Sequence, residues 1–183
     1  MKILFASGSM LGGGAERVVS VLANELSKVP GVECTVAVVR GDSVYVLSEN
    51  VGLRRIYTES EITTNVLNKI YRRLVYIPRI FRLVREERPD VVIPVHGGGW
   101  NGLFILISRI LGTKVIAAEH TSWTVGRHKP GRWFERYCIY RVSSAITVLT
   151  EDNRKYYSSF LPHTFKIPNP LSLPILERAT QPR

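Results

Sequence analysis

Acidic residues are in short supply in this chain. Fifteen Asp and Glu face 25 Lys and Arg, giving a net charge of +10 and a pI near 9.9, and the stretch 62–85 holds no acid at all. Such a balance attracts anionic partners, whether nucleic acid, anionic lipid or phosphorylated substrate, without choosing among them. Cysteine is scarcer. Cys34 and Cys138 lie far apart in apolar surroundings, with neither a CxxC pair nor a metal-ligand spacing. They predict two reduced core thiols and exclude a disulfide framework.

Long hydrophobic runs are missing too. The run LFILI at 103–107 is far below the roughly 20 residues that span a bilayer. The apolar ILFA after Lys2 is too short for a secretory leader. These absences predict a cytoplasmic chain that can lie on a membrane without crossing it. No repeat and no low-complexity tract is visible. The remaining composition, 45% hydrophobic and 22% charged over 183 residues, is that of a globular protein, most simply one domain.

Apolar runs alternate with helical patterns. Strands are predicted at 2–6, 34–39, 53–57, 90–95, 114–118, 144–149 and 164–168, and helices at 14–28, 65–88, 101–111, within 130–142 and at 151–160. Strands that are apolar throughout, each followed by a helix, predict an α/β fold: a Rossmann-like, doubly wound parallel sheet. The tail is different. Pro168, Pro170, Pro174 and Pro182 make 169–183 read as a linker or crossing segment after a domain at 1–168.

Ligands of doubly wound sheets bind beyond the carboxyl ends of the strands, and three loops there carry unusual residues. The first, SGSMLGGGAE, places Gly12, Gly13 and Gly14 ahead of Glu16 and Arg17. Its glycines free backbone amides to point at an anion, and the helix behind adds its positive end. A tight turn that needs small residues is the alternative. No GK[ST] follows, and the GxGxxG spacing is missing, which excludes a P-loop and argues against dinucleotide binding.

The second loop is HGGGWNG, with His96 and Gly98. It resembles the oxyanion-hole motif of lipases, but no GxSxG nucleophile elbow exists in the chain, so a hydrolase is excluded. A second backbone cradle, or glycines that admit a neighbouring loop, is the better reading. The third loop, EHTSW, puts Glu119 beside His120. Imidazole there can donate to a sugar hydroxyl or phosphate oxygen, or move a proton near neutral pH.

Two basic clusters complete the candidates. Lys69, Arg72, Arg73, Arg79 and Arg82 share one face of the long helix, opposite Ile70, Leu74, Ile77, Phe81 and Val84, and Pro78 is expected to kink or divide that helix. A second group, Arg127, Lys129, Arg132, Trp133 and Arg136, mixes cations with aromatics. Both suit lipid headgroups or a diphosphate-bearing acceptor. No nucleic-acid-binding motif is present.

Taken in order, GGGAERV, EHTSW, ITVLTEDNRKYY and IPNPL resemble the N-terminal half of a retaining GT-B glycosyltransferase. The likeness is to the large family 4-like group that builds bacterial lipopolysaccharide, O-antigen and lipid-linked oligosaccharides. The resemblance implies a hexosyltransferase of polysaccharide biosynthesis, metal-independent and without a cofactor, acting peripherally on the inner face of the cytoplasmic membrane. Its partners would be a nucleotide-sugar donor, a lipid-linked glycan acceptor and the anionic membrane surface, with no nucleic acid. By the same resemblance, Gly13 and Gly14 approach the donor phosphates or the acceptor, and Glu16 and Arg17 begin the helix behind them. His120 lies near the transferred sugar, Thr150 and Glu151 open a helix, and IPNPL starts the crossing into a second domain. In that family the E-x7-E element and the nucleotide-binding loops belong to the second domain, which the resemblance does not place in these residues. Residues 1–183 therefore read as an acceptor-binding half, inactive alone, that either belongs to a longer polypeptide or completes an enzyme as a non-catalytic, membrane-recruiting subunit.

Overall fold

The computed structural model describes residues 1–39, 43–56, 66–95, 99–125 and 128–170, with the backbone only for 66–74. Every predicted strand forms: β1 (Lys2–Ser7), β2 (Glu33–Val38), β3 (Val51–Arg55), β4 (Val91–Pro94), β5 (Lys114–Glu119), β6 (Ala145–Val148) and β7 (Thr164–Lys166). They build one sheet in the order β3-β2-β1-β4-β5-β6-β7 with parallel pairing throughout. The order reverses between β1 and β4, which sets the switch-point crevice there.

Alternation along the strands decides which helix each residue meets. Ile3 and Phe5 of β1 pack with Val19 and Ala23 of α1 (Gly14–Leu26). Leu4 and Ala6 point the other way, toward Tyr76, Ile80 and Val84 of α2 (Val66–Glu87) and Phe104 of α3 (Gly99–Ile110). Farther along the same face, Val115, Ala117, Ile146 and Val148 bury against Tyr140 and against Tyr157 of α5 (Glu151–Ser158). On the α1 face the coverage runs out. Ile93, Ile116 and Thr147 are half-buried, and Phe165 and Ile167 are exposed. Parallel sheets are ordinarily covered on both sides; here the described helices leave the α1 face open over β5–β7.

Two local expectations change. Of the kink or division expected at Pro78, the division does not occur: α2 runs through it, with Tyr76 on one side and Ile80 and Val84 on the other held in the core while Pro78 itself faces solvent. The region 130–142 is not one helix. A short α4 (Pro130–Phe134), started by proline at its first position, passes into a π-helical turn over Glu135–Ile139 and a 3-10 turn over Tyr140–Val142. The pairing of the two cysteines as core thiols also fails: Cys34 is buried, but Cys138 on the π turn is exposed.

Candidate active site at the carboxyl edge of the sheet

The loop after β1 and the loop after β5 both lie at the carboxyl edge, on either side of the switch point. In the first, the backbone explains two glycines. Gly12 has φ of +120°, a conformation that side chains disfavour. At Gly13 a Cβ would stand 2.8 Å from Glu16 Oε2. The Glu16 carboxylate folds back over its own helix start and accepts from the Gly13 amide, the Gly12 amide (3.0 Å) and the Ser9 hydroxyl. Tyr45 Oη donates to the Gly13 carbonyl at 2.9 Å and ties the loop to the segment after β2. The anion that the glycines were expected to receive is therefore, in this structure, the chain's own Glu16. Gly14 has open space around it, and Arg17 is exposed.

In the second loop, Glu119 is completely buried. Its carboxylate accepts from Arg132 Nη2 at 2.6 Å, from Tyr140 Oη at 3.0 Å and Tyr157 Oη at 3.3 Å, and from the amide (3.0 Å) and hydroxyl of Thr121. Arg132 also donates to Glu135 at 2.6 Å. Burial alone would push the Glu119 carboxyl up. The Arg132 guanidinium and the Thr121 hydrogen bonds outweigh it and hold the group below the usual carboxylate range. Burial pushes the Tyr140 and Tyr157 hydroxyls well up, and the charge on Glu119 adds to it. Glu119 thus has no face toward a ligand, and its expected phosphate contact is replaced by an internal one.

His120 is half-buried and lines an apolar groove of about 160 Å³ on the α1 face, with Val18 and Leu22 of α1, Ile93, Ala118 and Leu149 among its walls. Ile167, Pro168, Asn169 and Pro170 close the same groove. Downstream, Trp123 stacks on Tyr156 with ring centroids 4.6 Å apart. Thr150 caps α5, its side chain accepting from the Asn153 amide at 3.2 Å.

The second basic cluster is largely redirected. Arg136 is only 1% exposed and Arg132 sits in the Glu119 network, so neither can meet a headgroup. Glu135, three residues on, is the one partner that helical spacing could suggest for Arg132; the other partners of the two arginines lie 11 to 14 residues back, beyond any helical periodicity. Lys129 and Trp133 do face solvent. On α2, Arg79 Nη1 donates to the Ile56 carbonyl at 2.9 Å and Arg82 is exposed. The side chains of Lys69, Arg72 and Arg73 lie outside the described residues, as do His96, Gly98, Arg127 and the tail 171–183. No described helix is long and apolar enough to cross a membrane.

The model of the family described as Glycosyltransferase Family 4 matches residues 12–172. The chain belongs to that family. A Campylobacter jejuni GalNAc-alpha-(1->4)-GalNAc-alpha-(1->3)-diNAcBac-PP-undecaprenol alpha-1,4-N-acetyl-D-galactosaminyltransferase is 28% identical over 175 residues, covering 93% of this chain and 46% of that enzyme. Among solved structures, the UDP-GlcNAc 2-epimerase of Neisseria meningitidis bound to UDP-GlcNAc superposes with a TM-score of 0.68 at 17% identity, over 92% of this chain and 47% of its own. MurG of Acinetobacter baumannii does so with 0.55 at 14% identity, over 83% and 42%. The family 4 chain described here is thus one Rossmann-like half of a GT-B fold and spans about half the length of the proteins it matches.

Proposed function

We propose that this chain is the acceptor-side half of a retaining, metal-independent glycosyltransferase, which moves a sugar from a nucleotide donor to a lipid-linked or lipopolysaccharide-type glycan at the cytoplasmic membrane face. The observation that carries the reading is His120, which lines a groove at the carboxyl edge of a family 4 sheet. The name of the Campylobacter relative, which specifies an undecaprenol-diphosphate-linked acceptor, supports the acceptor class.

In this reading the donor diphosphate departs as the acceptor hydroxyl attacks from the same face of the sugar. His120 hydrogen-bonds a hydroxyl of the transferring sugar and keeps it oriented. The amides of Gly12 and Gly13 are occupied by Glu16, so donor phosphates approach the exposed Arg17 and the opening of α1, and most of the leaving-group charge is offset by a nucleotide-binding half. The exposed Arg82, Lys129 and Trp133 meet the anionic surface or the acceptor diphosphate in this reading, and the basic sequence of α2 at Lys69, Arg72 and Arg73 suits the same role.

The deciding assay follows transfer from a panel of nucleotide-sugars to polyprenyl-diphosphate-linked acceptors by a polypeptide that carries this chain together with its donor-binding half. Replacing His120 by Ala is expected to lower kcat on the order of 100-fold, and the product anomer is expected to match the donor. Undiminished turnover by His120→Ala defeats the role of that residue; an inverted anomer defeats the retaining assignment.

A further inference from the structure

The segment that follows His120 is gripped through its backbone by two buried side chains from different elements. Arg136, on the π-helical turn, donates from Nη1 to the Trp123 carbonyl at 2.6 Å and from Nη2 to the carbonyls of Val125 at 3.0 Å and Ser122 at 3.4 Å. Asn153, on the first turn of α5, acts as a short stretch of strand would: its Oδ1 accepts from the Trp123 amide at 3.0 Å, and its Nδ2 donates to the Thr121 carbonyl at 3.1 Å. Just upstream, Glu119 is locked by Arg132 and the two tyrosines. His120 stands between the two anchors.

Arg136 is the expensive member of this arrangement. Among the described residues no carboxylate pairs with it, and its Nε has no hydrogen-bond partner. A buried charge in that state is unfavourable, and an apolar side chain of similar volume would fill the site at lower cost. Its backbone lies in a π turn, a geometry that is itself rare and recurs at functional sites. What an apolar side chain could not do is hold several carbonyls of one loop in a fixed fork.

We infer that Arg136 is a positioning residue for His120: its guanidinium fixes the 122–125 backbone so that the imidazole enters the groove in one orientation. The inference rests on the reading of His120 given above, yet its geometry can be measured without any turnover. Arg136→Met keeps the bulk and removes the fork. In the 183-residue chain, amide exchange followed by NMR is expected to accelerate at least about tenfold at Trp123 and Val125 relative to Phe5 and Val36 in the sheet, with the His120 ring signals shifted or broadened. Arg136→Lys, which keeps the charge and loses the fork, gives a smaller acceleration, and it decides by the same comparison if the Met variant does not fold. Unchanged exchange over 121–125 and an unmoved His120 signal overturn the proposal, even where the melting temperature drops. His120→Gln that leaves this exchange intact and also leaves transfer undiminished would instead defeat the catalytic reading and spare the clamp.

Discussion

The Gly13 amide donates to the carboxylate of Glu16, three residues farther on, and the missing Cβ of Gly13 is what makes room for it. Glu16, at the third position of α1, thereby closes the helix start from one side, the half of a capping box that a glycine N-cap leaves possible. Gly13→Ala is therefore expected to destabilise the chain, and Glu16→Ala to cost about 1 kcal/mol, the usual worth of a helix cap. The double variant should be markedly less destabilised than the sum, because the clash disappears with the carboxylate. Urea midpoints for the four proteins of this cycle measure the coupling; strict additivity would separate the two residues.

Removing Arg132 leaves Glu119 charged, buried and short of its cation. Arg132→Met is expected to cost about 3–5 kcal/mol, and the Glu119→Gln/Arg132→Met double variant should recover part of it. Equilibrium urea unfolding reports both. A loss below about 0.5 kcal/mol for Arg132→Met, the size of an ordinary surface change, would show that the pair contributes no net stability.

The same network sets a stability profile against pH. The folded Glu119 carboxyl lies below its unfolded value of about 4.3, so its contribution is complete above that value and is lost as pH falls through the folded one. Tyr140 and Tyr157 are shifted upward. Their contribution is complete below the unfolded tyrosine value of about 10 and is lost as pH rises beyond it. Urea midpoints should hold roughly level between about pH 6 and 9 and fall at both ends. Tyr157→Phe should flatten the alkaline fall; an unaltered alkaline limb contradicts the assignment.

The proposed membrane contact rests on the cations that the fold leaves outside. At about 1 kcal/mol per basic residue near an anionic surface, removing Arg82 and Lys129 with Trp133 (all three to Ser) should weaken sedimentation with anionic vesicles by roughly 30-fold or more. Uncharged vesicles should bind poorly in either case. Equal sedimentation of wild type and variant with anionic vesicles rules out these three residues as the contact.

How much of this was legible beforehand differs by level. The strands were, because each is an apolar run between turn signals, and β1 through β7 fall within a residue or two of expectation. The position of His120 at the strand ends was legible for the same reason. The direction of a charged side chain was not. Arg132 and Arg136 look, in sequence, like Lys129, and it is the packing of α4 and the π turn against residues 119–125 that turns them inward. No pattern in the sequence marks Tyr45, Tyr140, Tyr157 or Asn153, although Asn153 lies three residues after Thr150, which opens the helix. The glycine loop reads in sequence as a cradle for an external anion, and nothing in its spacing says that Glu16 would take the Gly12 and Gly13 amides itself.

The sheet that is covered on one side and half open on the other has a consequence for sequence change. Adjacent strands pair Ile116 with Ala145, and Ile146 is next in the chain, yet Ile146 is sealed by Tyr140 and Tyr157 whereas Ile116 borders the groove. Truncating Ile146 to Ala carries the full cost of a core cavity, about 2–5 kcal/mol; the same truncation at Ile116 removes surface that water already reaches in this chain. Along β6 and the first half of β5, up to Ala117, tolerance to substitution will alternate residue by residue; Ala118 and Glu119 are buried in succession. A saturation library of these strands would print the shape of the open face as a period of two, and any molecule that covers the face would erase it.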